Sequence, residues 1–216
     1  MKVAIFDFDG TLFESAAYWE RIIFNYLNDR GITPPKNIMN IAKPLGISQT
    51  ATLFKNQFLL KESEKEIVDC WRSKMGENYR YYIPLKDFAH QYIKNLRQTG
   101  INICLATAME RDFIIPALER TGILKLFDFI VTIDDVHANK NSPKIFLHCA
   151  EHFEVSPCEC TVFEDSTKAA AICKEAGFQV IGVYDGVSKG DYAVMLPICD
   201  RFIFSFSELL NDDVLV

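Results

Sequence analysis

The 216-residue sequence has no apolar run of about 18 residues, the length a helix needs to cross a bilayer. A membrane span is therefore not expected. The opening stretch, MKVAIFDFDG, has one lysine and a short apolar run broken by Asp7. A secretory signal needs a longer apolar segment and a small-residue cleavage site, so none is expected here. An excess of positive charge is also missing. Lys and Arg number 23 against 29 Asp and Glu, a formal net charge of −6. That argues against general attraction to nucleic acid or to an acidic membrane. The seven cysteines are an odd number and lack a pairing pattern. Cys158 and Cys160 form a C-x-C pair, which would need further nearby Cys or His at ligand spacing to hold a metal. Reduced thiols in a cytoplasmic protein are the expectation. Internal repeats and low-complexity segments are absent too.

What is present suits a folded α/β protein. The chain is 49% hydrophobic, enough for a core domain plus a small insert. Residues 2–6 form a short β-rich run ending at an acidic turn, which reads as a buried parallel strand. From residue 101 onward strands and helices alternate. Strands are expected at 101–106, 129–133, 161–164 and 179–183, with helices at 111–121, 143–153, 166–176 and near 189–196. Gly122 and Gly177 close two of these helices. The pattern predicts a doubly wound, Rossmann-like parallel sheet, whose active sites lie at the carboxyl ends of the strands.

Between about residues 14 and 83 the strand signal disappears. Helical spacing covers 15–30, 36–43, 48–60 and 63–82, with Gly31 ending the first. Ser63 and Glu66 make a capping box at the start of the last. The expected organisation is a core of 1–13 and 84–216 with a helical insert, 14–83, placed after the first strand.

Asp7-Phe8-Asp9-Gly10-Thr11 carries the strongest chemical signal. Two carboxylates two residues apart at a strand end share one small volume, which is costly unless a cation or proton relieves them. Gly10 permits a close backbone approach, and a turn there can aim amides at an anion. A calcium loop also begins D-x-D-G, but its twelfth position needs Glu and here holds Tyr18. Thr107-Ala108, Lys140 and Glu164-Asp165 fall at other strand ends or the loops beyond them. Each alone is ordinary turn, surface or capping chemistry. Together they place acids, a hydroxyl and a cation on one rim of one sheet.

In this order the residues resemble the haloacid dehalogenase-like hydrolase superfamily, in the branch with a helical cap that includes β-phosphoglucomutase and sugar-phosphate phosphatases. The similarity rests on Asp7-Phe8-Asp9-Gly10-Thr11-Leu12, Thr107, Lys140, Glu164-Asp165-Ser166 and the stretch from Glu175 to Val183. The resemblance implies a nucleophilic Asp7 that forms an aspartyl-phosphate, with Asp9 as general acid and base. It implies Mg²⁺ held by Asp7, the main-chain carbonyl of Asp9 and Asp165, with Glu164 close by. Gly10, Thr107, Ala108 and Lys140 would surround the phosphoryl group. The implied partner is a small phosphate ester, handled by a monomer or else a dimer, and the insert would be a cap.

Departures refine this. The lysine segment reads Lys140-Asn141-Ser142-Pro143-Lys144 instead of the usual K-P-x-P-[DE], which makes Lys144 a rival to Lys140. Gln49 stands where the similar mutase loop has a phosphate-gripping arginine. Hydrolysis is therefore expected over mutase action, although Arg111 offers a substitute grip. Asp9 suits protonation of an alkoxide, so dehalogenation is not expected. A non-catalytic binding protein on the same fold is the third alternative. Lys43, Gln49, Lys55 and Arg72 are candidates to face the substrate from the insert. Four other features are expected to be structural: His148 with His152, Asp134-Asp135, the turn Asp185-Gly186, and the aromatics Tyr79, Tyr81, Tyr82 and Phe88.

Overall fold

The computed structural model describes residues 1–42, 45–136, 142–186 and 192–210, leaving aside the side chain of Asn40. The chain divides into two compact units, residues 1–16 with 83–216, and residues 17–82.

In the larger unit β1 (Val3–Phe6) is followed, after the smaller unit, by α5 (Ala89–Gln98), β2 (Asn102–Thr107), α6 (Arg111–Arg120) and β3 (Phe129–Thr132). Then come α7 (Lys144–His152), β4 (Cys160–Glu164), α8 (Thr167–Glu175), β5 (Gln179–Val183), α9 (Tyr192–Met195) and β6 (Arg201–Ile203). The six strands form one parallel sheet in the order β3-β2-β1-β4-β5-β6. The doubly wound expectation is borne out. Each crossover carries a helix because parallel neighbours cannot be joined by a tight hairpin.

Alternation along β1 fills both faces of the sheet. Val3 and Ile5 face a core shared with Cys104, Val131, Val162 and Val180, covered by Ile145, Phe146 and Cys149 of α7 and by Ala170 and Cys173 of α8. Phe6 on the opposite face stacks on Phe163 at 4.3 Å and meets Tyr92 of α5 and Phe206 edge-on or tilted. A buried phenyl of this kind contributes about 1.5–3 kcal/mol.

The smaller unit is helical: α1 (Ala16–Asn28), α2 (Ile38–Ala42), α3 (Ile47–Gln57) and α4 (Glu64–Tyr81). Ser63 and Glu66 close the expected capping box on α4, with Glu66 N–H donating to Ser63 Oγ at 3.2 Å. Trp71 is fully buried, edge-on to Tyr26 and Phe54.

Two elements go beyond the sequence reading. Helix α5 carries apolar residues at 89, 92, 93 and 96, but Phe88 stands at its N-cap instead of a start signal. Strand β6 is three residues long, too short to show alternation. The aromatic expectation is corrected in part. Tyr79 is buried, but Tyr81, Tyr82 and Phe88 are half-exposed or more, because the end of α4 and the left-handed Phe88 (φ 64°) turn them to solvent. Among the described residues no helix is long and apolar enough to cross a membrane.

Candidate active site

Strand β1 lies in the middle of the sheet, between β2 and β4. The register pairs Phe6 with Phe163, and the Asp7 amide donates to the Phe163 carbonyl at 3.0 Å. The next residues on the two strands are then Asp7 and Glu164, side by side at the carboxyl edge. Both are buried, at 5% and 1% exposure. Asp165 follows one residue later. Oxygens of Asp7, Glu164 and Asp165 lie within 4.8 Å of one another.

Local contacts fix these carboxylates. The Ser166 amide donates to Glu164 Oε1 at 3.1 Å, and the Ser166 hydroxyl caps α8. Thr11 Oγ1 donates to Asp165 Oδ1 at 3.2 Å, across 154 residues of sequence. Gly10, at φ 74°, lets the turn come this near: a Cβ there would stand 2.4 Å from Asp165 Oδ2. The turn is closed by Gly10 N–H to Phe13 O and Leu12 N–H to Phe8 O. It holds Asp9, half-buried and bridged to Phe13. The Asp9 carboxylate is not one of the three clustered groups, and its expected metal contact is through a main-chain carbonyl.

Thr107 ends β2, 1% exposed, and its Oγ1 accepts from the Met109 amide at 3.0 Å. A hydroxyl that accepts can still donate. Ala108 follows in an exposed bend. Lys140 lies outside the described residues, as does Lys43. Lys144 is exposed in the first turn of α7.

The remaining candidates find other tasks. Arg111 donates to Asp135 Oδ2 and to the Ile130 carbonyl, both at 2.9 Å, which ties α6 to β3. Asp135 also accepts from Thr132 N–H and Oγ1 at 2.8 and 2.9 Å. Burial works to raise the Asp135 carboxyl, but the bonds from Thr132 and Arg111 outweigh it and hold it below its usual value. His152 stacks flat on Phe129 at 3.8 Å. Cys158 is exposed and Cys160 buried, so the C-x-C pair faces two ways. In the helical unit, Lys55 donates to the Glu62 carbonyl at 2.8 Å, while Gln49 is exposed.

Two residues near the site were given no part in it by the sequence reading. Asp185, expected only as a turn residue just past β5, is 8% exposed and lines a small hollow with Asp165, Tyr184 and Tyr192. Its place at a strand's carboxyl end was the available signal. Lys86 donates its amide to the Leu12 carbonyl and its ammonium to the Tyr184 carbonyl, joining the Asp9 turn to the loop after β5. Nothing in the sequence around Lys86 marks it.

Three carboxylates this close repel one another unless a cation offsets them. All the donors are hard oxygens, with no thiol or imidazole among them, which suits a magnesium-type ion over zinc or copper. The geometry thus fits a hard divalent cation held among the three carboxylates.

Comparison with known proteins gives the same direction. The chain is 24% identical over 214 residues to hexitol phosphatase B of Escherichia coli strain K12, covering 98% of this chain and 96% of the relative. It is 26% identical over 195 residues to a phosphorylated carbohydrates phosphatase of Thermotoga maritima, covering 88% of each. Among solved structures, a β-phosphoglucomutase from Clostridium difficile superposes with a TM-score of 0.76 at 20% identity, covering 97% of this chain and 93% of that one. That likeness speaks for the fold. The model of the haloacid dehalogenase-like hydrolases matches residues 4–183, which include the Asp7 turn, Thr107 and the Glu164-Asp165 pair. With the Asp7 turn and the acidic edge inside that span, the chain belongs to the haloacid dehalogenase-like hydrolase family.

Proposed function

We propose that the chain is a Mg²⁺-dependent phosphatase that hydrolyses a small phosphate monoester, of the sugar or polyol phosphate class, through an aspartyl-phosphate. The observation that carries the reading is the convergence of Asp7, Glu164 and Asp165 at the edge where β1 and β4 end. The two phosphatase relatives, one named for hexitols and one for phosphorylated carbohydrates, support the substrate class. The enzyme would work in the cytoplasm, as a monomer or a dimer.

The assigned roles follow from the residue types. Asp7 Oδ attacks phosphorus as the ester P–O bond breaks, and Asp9 gives a proton to the leaving oxygen. Asp9, now a carboxylate, takes a proton from water. The water oxygen bonds to phosphorus, phosphate departs and Asp7 is restored. Asp7, the Asp9 carbonyl, Glu164 and Asp165 would hold Mg²⁺, which supplies charge stabilisation to the phosphoryl oxygens when bound. Thr107 donates a hydrogen bond to one phosphoryl oxygen, with the Ala108 amide and the Gly10 main chain nearby and Lys140 as the cation. The helical unit is assigned substrate selection, since it enters the chain directly after the catalytic turn.

Phosphatase action is favoured over a hexose-phosphate mutase because Gln49 cannot grip a second phosphate as arginine would, and Arg111 is committed to Asp135. The test is Mg²⁺-dependent release of phosphate from p-nitrophenyl phosphate and from a panel of sugar and polyol phosphates. Asp7→Asn should abolish release, while leaving the thermal melt in place. Unchanged turnover in Asp7→Asn sinks the mechanism. Isomerisation of a sugar 1-phosphate dependent on a bisphosphate primer makes the protein a mutase.

A further inference from the structure

Away from the catalytic edge, the core beneath the sheet gathers thiols. Cys104 on β2 and Cys149 on α7 are both fully buried, and their sulfurs stand 3.0 Å apart. All seven cysteines are free thiols. We propose that Cys104 and Cys149 are a redox-modifiable pair that closes to a reversible disulfide when the protein meets a hydroperoxide.

The geometry supplies the pair. Cys104 S–H donates to Cys149 Sγ at 3.0 Å, and Cys149 S–H donates to the Ile145 carbonyl at 3.3 Å, which holds the two sulfurs facing each other. Burial pushes the Cys104 thiol well above its usual value, with the Cys149 sulfur adding to the effect, which keeps that proton in place. The Cys149 sulfur attacks one peroxide oxygen, the O–O bond breaks, the thiol proton passes to the departing hydroxide to give water, and a sulfenic acid is left on Cys149. Cys104 sulfur then displaces the sulfenic oxygen, which leaves as water with the Cys104 proton. In sum two thiols and one hydrogen peroxide give one disulfide and two waters, with the sulfurs oxidised by two electrons and the peroxide reduced. The sulfurs need to close by about 1 Å to reach bonding distance. Hydrogen peroxide is small and uncharged, and it enters when the contact between β2 and α7 opens locally. The reaction is slow for that reason, on the order of minutes to hours. Cys160 lies in the same core cluster, and burial pushes its thiol up to about 12, so it stays protonated as a bystander.

The bond would join the strand that ends in Thr107 to helix α7. The test uses the full chain treated with hydrogen peroxide, then denatured, alkylated, digested without reductant and read by mass spectrometry. The expected result is a cross-linked pair of peptides holding Cys104 and Cys149, about 2 Da lighter than the two reduced peptides together, lost on dithiothreitol treatment. The cross-link should persist in Cys158→Ser, which removes the exposed thiol, and vanish in Cys149→Ala. Full alkylation of both Cys104 and Cys149 after peroxide treatment, or disulfides joining other cysteines, overturns the proposal. The wild-type digest decides the matter even where Cys149→Ala fails to fold. The readout does not involve phosphatase activity, so the two proposals stand or fall separately.

Discussion

Replacing Gly10 by alanine tests how closely the turn after β1 must approach the acidic edge. Gly10 holds φ 74°, where a residue with a Cβ pays roughly 1–2 kcal/mol. The added methyl group would sit 2.4 Å from Asp165 Oδ2 and 2.6 Å from its Cγ. Ordinary contact begins at 3.4 Å, so the turn and the carboxylate must part by about 1 Å. That separation also stretches the 3.2 Å bond from Thr11 to Asp165, a loss of about 0.5–1.5 kcal/mol. Together these terms predict a stability loss of about 1.5–3.5 kcal/mol, read from urea unfolding. The effect on activity should be larger. A reacting group misplaced by 1 Å costs about 100-fold in rate, equivalent to about 2.7 kcal/mol of barrier. Steady-state p-nitrophenyl phosphate hydrolysis at increasing Mg²⁺ should show both the lower turnover and a higher Mg²⁺ concentration at half-maximal rate. Wild-type turnover and metal response in Gly10→Ala would refute the idea that this contact sets the position of the Asp165 carboxylate.

Gly182→Ala tests the neighbouring strand. Gly182 pairs with Glu164 in the sheet, and a Cβ there would meet Phe202 at 2.6 Å and Cys199 Sγ at 2.9 Å. Overpacking of this kind should destabilise by about 1–3 kcal/mol in denaturant unfolding. Glu159 provides a pH prediction. Its hydrogen bond from Lys2, then those from Ser156, lower its carboxyl from 4.5 to about 2 in the folded protein. A depressed folded value means the contribution is present above pH 4.5 and disappears as pH falls toward about 2. The melting temperature of Glu159→Gln should therefore depend less on pH across that window than wild type does. Equal slopes for the two proteins would remove Glu159 from the acid response.

The sequence by itself determined the local chemistry. A β-rich run ending in Asp7, glycines after helices and a Ser63–Glu66 capping box are statements about adjacent residues, and short-range sterics and hydrogen bonding fix them. Alternation of strand and helix fixed the fold class, because parallel strands need crossovers. Strand β6 was not legible since three residues cannot show a period of two. Helix α5 was hidden by a start that lacks a capping side chain. Only the tertiary structure decided which strands are neighbours. Sheet order placed β1 against β4 and so put Asp7 beside Glu164, and it turned Asp165 toward Gly10 and Thr11. The same long-range packing committed Arg111 to Asp135 and carried Lys86 to the loop after β5. These contacts join segments whose separation along the chain carries no local signal, and burial of a shared core is what brings them together.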